Sequence, residues 1–234
     1  RGPGGHASIP GKGTPLPRLG AFMCEVENTD LFPVRLSSAS AEMYRRMAAL
    51  SADEGERAYL TAIAEEHPGW QESLGERQKE MLGTTIAFTM AGGSQAANVI
   101  PQEAYVICNI RVAPGETVAG AVAALQAVAD RHQVELEVLR SNEPSPVTDP
   151  RGEAFVRVER AIQAAWPGTE VLPFLLSGGT DTKHFVSLCP NCLRFTAYRI
   201  SADQQVRCHA IDENIDLDTI PNGVDFFKNL IQGL

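Results

Sequence analysis

The 234-residue sequence lacks several features by which common classes of protein are recognised. It has no apolar run near the roughly 18 to 20 residues that cross a membrane. It has no excess of basic residues either, and a net charge of −9 argues against a nucleic-acid partner, which would favour a basic surface. Its five cysteines are too few, and odd in number, for a disulfide framework. We therefore expect a globular protein of a reducing, cytoplasmic compartment that binds neither membranes nor nucleic acid.

The sequence also lacks the usual features of a protein N-terminus. The opening Arg1-Gly-Pro-Gly-Gly-His-Ala-Ser contains neither an initiating methionine nor a signal peptide. We expect the polypeptide to extend further upstream.

What the chain does contain is alternating helical and strand periodicity. Helical spacing predicts helices over residues 15–27, 40–50, 54–65, 117–131, 151–166 and 216–232. Runs of β-formers and alternating apolar residues predict strands over residues 84–90, 104–112, 134–139, 171–176 and 192–197.

A polar, proline-rich stretch over residues 141–150 predicts a boundary between a first domain, 1–141, and a second, 142–234. The order helix, strand, strand, helix, strand in the first domain predicts a ferredoxin-like βαββαβ unit whose first strand is lost or barely kept. A helical pair at about 38–68 is inserted in this domain. The second domain has the pattern of an α/β sheet whose remaining strands lie elsewhere, so the fold class is α/β with an α+β first domain.

Two segments contain candidate metal ligands. His209 follows a short β-like run and is itself followed by acidic residues, so it is either a metal ligand or a partly buried histidine hydrogen-bonded to Asp212 or Glu213. One histidine cannot form a catalytic zinc site, which needs three protein ligands and an open position. The single pair Cys189-Pro-Asn-Cys192 lacks the second pair that a zinc ribbon requires, and we interpret it as structural.

A glycine-rich turn, Ser177-Gly-Gly-Thr180-Asp181, lies between a predicted strand and a short helix. Unpaired backbone amides in such a turn can hold an anion or an oxyanion. The alternative is an ordinary turn in which Thr180 or Asp181 caps the helix. Asp181 and His184, three residues apart, are a further candidate for metal chelation, although such a pair is more often a cap and its neighbour.

Two other segments carry polar groups suited to substrate binding. Gly4-Gly-His6-Ala-Ser places an imidazole in an exposed loop, where it either donates a hydrogen bond to a developing oxyanion or is an ordinary surface histidine. Arg111 lies on the polar face of the strand that follows Asn98-Val-Ile-Pro, where its guanidinium either binds a carboxylate or is simply solvated.

Taken in order, these segments resemble the M20 family of metallopeptidases, in its carboxypeptidase-S-like branch, which includes N-acyl-amino-acid hydrolases. Each motif is weak alone, but they follow the family order over nearly the whole chain. The resemblance is carried by Gly4-Gly-His6-Ala-Ser, Asn98-Val-Ile-Pro, Asn109-Ile-Arg111-Val-Ala-Pro-Gly115, Ser177-Gly-Gly-Thr-Asp181, Arg194-Phe195 and His209-Ala-Ile-Asp-Glu213.

The resemblance implies roles for three residues of the first domain, which would be the lid, or dimerisation, domain of the family. His6 would reach the active site of the partner subunit in a homodimer and stabilise the tetrahedral oxyanion. Asn98 and Arg111 would bind the C-terminal amino-acid portion of the substrate, Arg111 through its carboxylate.

For the second domain, the resemblance implies part of a zinc-peptidase catalytic domain. Gly178, Gly179 and Thr180 would line the substrate pocket, with a contribution from Arg194. His209 would be a terminal ligand of one of the two zinc ions in the complete active site.

The resemblance also implies an absence. The family's His-x-Asp ligand pair, bridging Asp, Glu-Glu pair with the general base and further acidic ligand belong to an N-terminal half without a counterpart in this sequence. We therefore expect a di-zinc enzyme that cleaves the amide bond to a C-terminal amino acid in peptides or N-acyl amino acids, of which this chain alone is inactive. The alternative is a non-catalytic ferredoxin-like dimerisation module that holds small carboxylates through Arg111.

The sequence departs from the family pattern at two places, which bear on the expected substrate preference more than on the resemblance to the family. Ala197 stands where the family has proline soon after the Arg-Phe pair. Asp212-Glu213-Asn214 stands where Asn-Glu-Arg or Asn-Glu-Lys is usual.

Overall fold

A computed structural model of the chain describes residues 1–176 and 180–233, which form two compact units. Unit 1 comprises Arg1–Arg35 and Gly69–Ser145, and unit 2 comprises Leu36–Pro68 and Pro146–Leu234. The division differs from the predicted one because the helical pair belongs to the second unit rather than the first. The later boundary between the units falls between Ser145 and Pro146, inside the proline-rich stretch 141–150.

Helices and strands of both units follow one another along the chain. In order they are β1 (Gly5–His6), α1 (Pro15–Glu27), α2 (Ser38–Leu50), α3 (Glu54–Ala64), α4 (Glu76–Leu82), β2 (Thr85–Gly92), β3 (Val99–Ile100), β4 (Tyr105–Arg111), α5 (Val118–Arg131), α6 (Glu153–Ala165), α7 (Ala202–Val206) and α8 (Ile220–Gln232). Short 3₁₀ turns lie at Asp181–His184 and Leu217–Thr219.

Three of the six longer helices begin at a residue whose side chain caps the first turn. The side chains of Ser37, Asp53 and Thr117 accept backbone N–H groups at the starts of α2, α3 and α5. All six predicted helices are confirmed, with ends that differ by a few residues. The short helices α4 and α7 were not predicted, because neither is long enough to show an apolar period.

The core of unit 1 lies between an antiparallel strand pair and two helices. Strands β2 and β4 pair with Ile86 opposite Ile110 and Phe88 opposite Cys108. Their apolar side chains pack against Phe22 and other buried residues of α1 and α5, namely Val26, Leu125, Val128 and Ala129. This arrangement confirms the predicted inward face of the 104–112 strand, and it leaves the odd-numbered residues, including Arg111, on the opposite face.

The predicted strand at 134–139 is wrong. Val134 and Leu136 still turn toward the unit 1 core, as an alternating pattern predicts. A strand, however, also needs a neighbour for its backbone hydrogen bonds, and the segment forms no ladder in the described structure. The helix–strand–strand–helix order of α1, β2, β4 and α5 is present, and the complete ferredoxin-like order stays a prediction.

Unit 2 packs α6 against α8. Ala161, Ile162 and Ala165 of α6 and Phe226 of α8 form its buried cluster. At Gly223 the backbone of α8 comes so close to the carbonyl oxygen of Ala197 that a Cβ would clash with it. Only glycine permits this approach.

The predicted strands at 171–176 and 192–197 are likewise not formed. Both segments are apolar enough for strands, but neither has a ladder partner among the described residues. Phe174, Leu176 and Phe195 are exposed, as are Leu188 and Ile211 outside the two segments. Both segments therefore have the apolar sequence of a strand, but no neighbouring strand of the described structure pairs with them.

A carboxylate joins the two segments of unit 2. Glu42 on α2 accepts hydrogen bonds from Arg45 at 2.7 Å, Arg46 at 3.0 Å and Arg151 at 3.1 Å. Arg46 also pairs with Glu159 of α6 and donates to the carbonyl oxygen of residue 171 at 2.8 Å. Burial raises the pKa of Glu42, but the hydrogen bonds from the three arginines outweigh it and hold the pKa below its ordinary value of 4.5.

We predict that Glu42→Gln lowers the free energy of unfolding by about 2 kcal/mol at neutral pH, because it removes the charge of a buried carboxylate that accepts hydrogen bonds from three arginines, of which Arg46 is itself partly buried. Glu153→Gln, which breaks an exposed pair with Arg157 on α6, should cost less than about 0.5 kcal/mol. Denaturant unfolding of both variants measures the difference.

The same network predicts a pH dependence. A carboxyl group whose pKa is lowered by folding stabilises the protein above its unfolded pKa, and this stabilisation is lost as the pH falls through the folded pKa. Unfolding of the wild type should therefore become easier below about pH 4.5 by more than unfolding of Glu42→Gln. Equal pH dependence in the two proteins would show that Glu42 is not a stabilising centre.

Candidate functional site

His6 and Asn98 come together in unit 1. Strands β1 and β3 pair with His6 opposite Val99. The backbone N–H of Ala7 donates to the carbonyl oxygen of Asn98 at 3.0 Å. The short ladder therefore brings two predicted site residues from distant parts of the sequence to one place.

The imidazole of His6 is oriented by Ser8. The backbone N–H of Ser8 donates to Nδ1 at 3.2 Å, and its Oγ lies 2.7 Å from the same nitrogen. A ring nitrogen that accepts an N–H carries no proton in the neutral imidazole, so the proton lies on Nε2. His6 is exposed, and its Nε2–H is available to donate a hydrogen bond.

Arg111 lies at the end of β4, opposite Thr85 of β2. Strand β4 begins at Tyr105, six residues earlier, so Arg111 lies about 20 Å from the other end of the strand. The buried hydroxyl of Thr84 accepts the backbone N–H of Ala113 at 2.9 Å and fixes the chain beyond Arg111. The guanidinium is exposed, and in residues 1–176 and 180–233 no carboxylate pairs with it.

Thr180 and Arg194 meet in unit 2. The Nε of Arg194 donates to the hydroxyl of Thr180 at 3.0 Å and to that of Thr182 at 3.1 Å. Thr180 also caps the 3₁₀ turn by accepting the backbone N–H of Thr182. Next to Arg194, the ring of Phe195 packs against Phe226 with centroids 4.8 Å apart, which ties the arginine to the core of unit 2.

The other predicted residues of the glycine-rich turn, Gly178 and Gly179, lie outside the described residues. Asp181 and His184 both fall in the 3₁₀ turn capped by Thr180, as the capping alternative predicts.

His209 lies in an exposed loop after α7. The residue is exposed, whereas the alternative prediction was a partly buried histidine. Its backbone N–H, rather than its imidazole, donates to the Glu213 carboxylate at 3.2 Å. Cys208, His209 and Glu213 each offer one ligand atom, and the three atoms lie within 4.8 Å of one another. They are the only group of this kind found in the described part of the chain.

Sequence reasoning missed the residues that hold or accompany the predicted ones. These are Ser8 beside His6, Thr182 beside Arg194, and Cys208 beside His209. Cys208 could have been found, because a Cys-His pair followed by a glutamate four residues later is a metal-ligand combination. Ser8 and Thr182 carry no signal of their own, since serine and threonine commonly cap short turns.

A model of the peptidase dimerisation domain of the M20 family matches residues 1–137, more than half of the chain. The chain belongs to the M20 peptidase family. Within this family it is 30% identical over 150 residues to a probable carboxypeptidase S-like protein of Dictyostelium discoideum, covering 64% of this chain and 29% of that protein. It is 26% identical over 238 residues to the human N-fatty-acyl-amino acid synthase/hydrolase, covering 97% of this chain and 46% of that protein.

Solved structures show the same fold. The chain superposes on an M20 family metallo-carboxypeptidase of Sulfolobus solfataricus with a TM-score of 0.59 at 15% identity, covering 97% of this chain and 54% of that one. This likeness confirms the predicted α/β class. The chain spans about half the length of that protein and of the human M20 protein. No helix in the described part of the chain is long and apolar enough to cross a membrane.

We predict that the neutral imidazole of His6 is held with its proton on Nε2 and that Ser8→Ala weakens this preference, because one of two hydrogen bonds to Nδ1 is lost. The ¹⁵N chemical shifts of the ring nitrogens measure the two tautomers directly. Ser94→Ala, in a turn remote in sequence from His6, is the control and should leave these shifts unchanged. Identical ring shifts in Ser8→Ala and the wild type would contradict the role of Ser8.

Proposed function

We propose that this chain provides the oxyanion donor and the carboxylate-binding residue of a metal-dependent M20 amide hydrolase. Its substrates are peptides or N-acyl amino acids, cleaved at the amide bond to the C-terminal amino acid. The observation that carries the proposal is His6, which is fixed beside Asn98 with Nε2–H free to donate. The names of the similar proteins, a carboxypeptidase S-like protein and an N-fatty-acyl-amino acid synthase/hydrolase, support the substrate class.

The residues of unit 1 act on the substrate. When the amide carbonyl is attacked, negative charge develops on its oxygen, and Nε2–H of His6 donates to that oxygen more strongly than to the neutral carbonyl. Arg111 binds the substrate carboxylate with two parallel N–H groups, which fixes the scissile bond relative to His6. Asn98 binds the same portion of the substrate.

The residues of unit 2 bind substrate and hold metal. Thr180, positioned by Arg194, contacts the substrate, and the roles of Gly178 and Gly179 are those that the family resemblance implies. His209 is a ligand of one of two zinc ions, and its exposed imidazole and the thiol and carboxylate beside it fit a zinc ion by donor chemistry. Bound zinc supplies Lewis-acid activation of water and of the carbonyl group.

The remaining ligands and the general base lie outside this chain in our proposal, so the chain alone does not catalyse hydrolysis. The apolar segments 171–176 and 192–197, which lack ladder partners in the described structure, pair in the complete enzyme with strands from the other half. The dimerisation domain, with the ferredoxin-like order, forms a homodimer in which His6 serves the active site of the partner subunit.

We predict that His6→Ala, in the product of the full coding sequence that contains these residues, lowers kcat by about 10²- to 10³-fold with little change in KM. The loss falls on kcat because the hydrogen bond is made to the transition state. His67→Ala, an exposed histidine next to Glu65, is the matched control and should leave both constants unchanged.

In the same protein, Arg111→Lys should raise KM for an N-acyl amino acid by about tenfold or more, because an ammonium cannot replace a bidentate guanidinium. Arg140→Lys, another exposed arginine of unit 1, is the control. Steady-state hydrolysis with added zinc, and with a chelator as blank, gives both constants. An active enzyme in which both His6→Ala and Arg111→Lys behave as the wild type would refute the proposal. A full product that binds carboxylates through Arg111 but hydrolyses nothing would favour the non-catalytic module.

A further inference from the structure

We propose that Cys189 and Cys192 are a redox-active pair, which closes to an intrachain disulfide when a small-molecule disulfide such as oxidised glutathione is present. The sequence alone favours a structural role for these two residues, and the positions of their sulfur atoms favour a chemical one. The pair acts independently of the proposed hydrolysis.

The two thiols turn toward each other along the chain. Sγ of Cys192 points back to the carbonyl oxygen of Cys189, at 3.2 Å. Sγ of Cys189 points forward to the carbonyl oxygen of Asn191, at 3.5 Å. Both sulfur atoms therefore lie along the bend at Pro190. Closing a disulfide requires rearrangement within this bend alone.

The chain is held on both sides of the bend. Before it, the carbonyl oxygen of Phe185 accepts the backbone N–H groups of Leu188 at 2.9 Å and of Cys189 at 2.8 Å. After it, the ring of Phe195 packs against Phe226 with centroids 4.8 Å apart. Because the fold restricts both ends of the bend, each thiol meets the other at a higher effective concentration than in an unfolded chain.

Redox chemistry suits this pair better than metal binding does. A zinc site takes three or four protein ligands, and two thiolates do not complete one. In the part of the chain that the structure describes, the three possible ligands that come together are those of the loop of His209. No third histidine, cysteine or acidic side chain joins Cys189 and Cys192 there.

The exposure of the two thiols sets the order of the reaction. Cys189 is exposed and Cys192 is half-buried, so Cys189 meets the oxidant first. Its thiolate attacks one sulfur of oxidised glutathione, whose S–S bond breaks to give a mixed disulfide and one glutathione thiolate. The Cys192 thiolate then attacks Sγ of Cys189 and releases the second glutathione thiolate. The protein gives up two electrons and two protons, which convert one glutathione disulfide into two thiols.

The disulfide lies next to a contact of the candidate site. Cys192 is two residues before Arg194, whose Nε donates to the hydroxyls of Thr180 and Thr182. Closing the ring removes conformational freedom from the chain that leads into Arg194. Oxidation therefore restrains the segment that carries this arginine.

The experiment is oxidation of the reduced, folded 234-residue chain in a buffer of reduced and oxidised glutathione. Free thiols are then blocked with N-ethylmaleimide, and the protein is digested with trypsin for mass spectrometry. Cleavage after Lys183 and Arg194 gives one peptide, 184–194, that contains both cysteines and no other. We expect this peptide to lose two hydrogen atoms and to carry no glutathione. It should be oxidised about tenfold or more in preference to the peptide of the exposed Cys24.

Variants separate the roles of the thiols. Cys192→Ser should keep one glutathione on Cys189, because the thiol that releases it is missing. Cys189→Ser should carry less glutathione at the same time point, because Cys192 is less exposed. Cys208→Ser is the control and should leave the oxidation of the 184–194 peptide unchanged. Circular dichroism establishes that each variant keeps the wild-type helix content.

Three results would overturn the proposed pair. These are glutathione retained on both thiols of the wild type, a disulfide from either thiol to Cys208, and oxidation no greater than that of Cys24. In urea, the unfolded wild type should be oxidised several-fold less in the same buffer. Equal oxidation of the folded and unfolded chains would show that the fold does not bring the thiols together.

Hydrogen exchange tests the restraint on the segment of Arg194. Backbone exchange over residues 190–194 should slow when the folded wild type is oxidised and stay the same in Cys189→Ser. Unchanged exchange in the oxidised wild type would refute the restraint. None of these measurements involves hydrolysis, so their failure leaves the proposed function untouched.

Discussion

The shared carboxylate of Glu42 is the interaction on which the organisation of unit 2 depends. It joins α2 to Arg151 just before α6, while Arg46 on the next turn of α2 reaches Glu159 of α6. These contacts span more than a hundred residues of sequence. They explain why the helical segment 36–68 groups with the C-terminal segment although it is inserted in the sequence of unit 1. Burying part of this ionic network also costs desolvation energy, which offsets some of the stabilisation that its hydrogen bonds provide.

Local sequence signals predicted the local structure well. The helices α1, α5, α6 and α8 were predicted because each has an apolar period and most have a cap or proline at the first turn. Strand β4 was predicted from its alternation. Strands at 134–139, 171–176 and 192–197 failed because a strand is completed by a neighbour, and alternation gives no information on whether that neighbour is present. The grouping of the helical pair with the C-terminal segment in the structure involves long-range ion pairs, which local sequence patterns do not encode.

The candidate site, too, could be predicted from the sequence only in part. Motif order predicted His6, Asn98, Arg111, Thr180, Arg194 and His209, and the structure brings His6 to Asn98 and Thr180 to Arg194. The sequence could not predict that the backbone N–H of Ser8 donates to Nδ1 of His6, because that depends on the geometry of one turn. The residue types and spacing of Cys208, His209 and Glu213 could have been noticed in the sequence, but not that their ligand atoms lie within 4.8 Å of one another in a loop with left-handed residues at His209 and Asp212.

The central claim is that the catalytic chemistry is divided, with substrate-binding groups and few metal ligands on this chain. Elemental analysis of the 234-residue chain, purified without chelator and without an affinity tag, tests it most directly. We predict no more than one zinc ion per chain, held in the loop of His209. Two tightly held zinc ions per chain would mean that these residues build a complete di-metal site, and would contradict the claim.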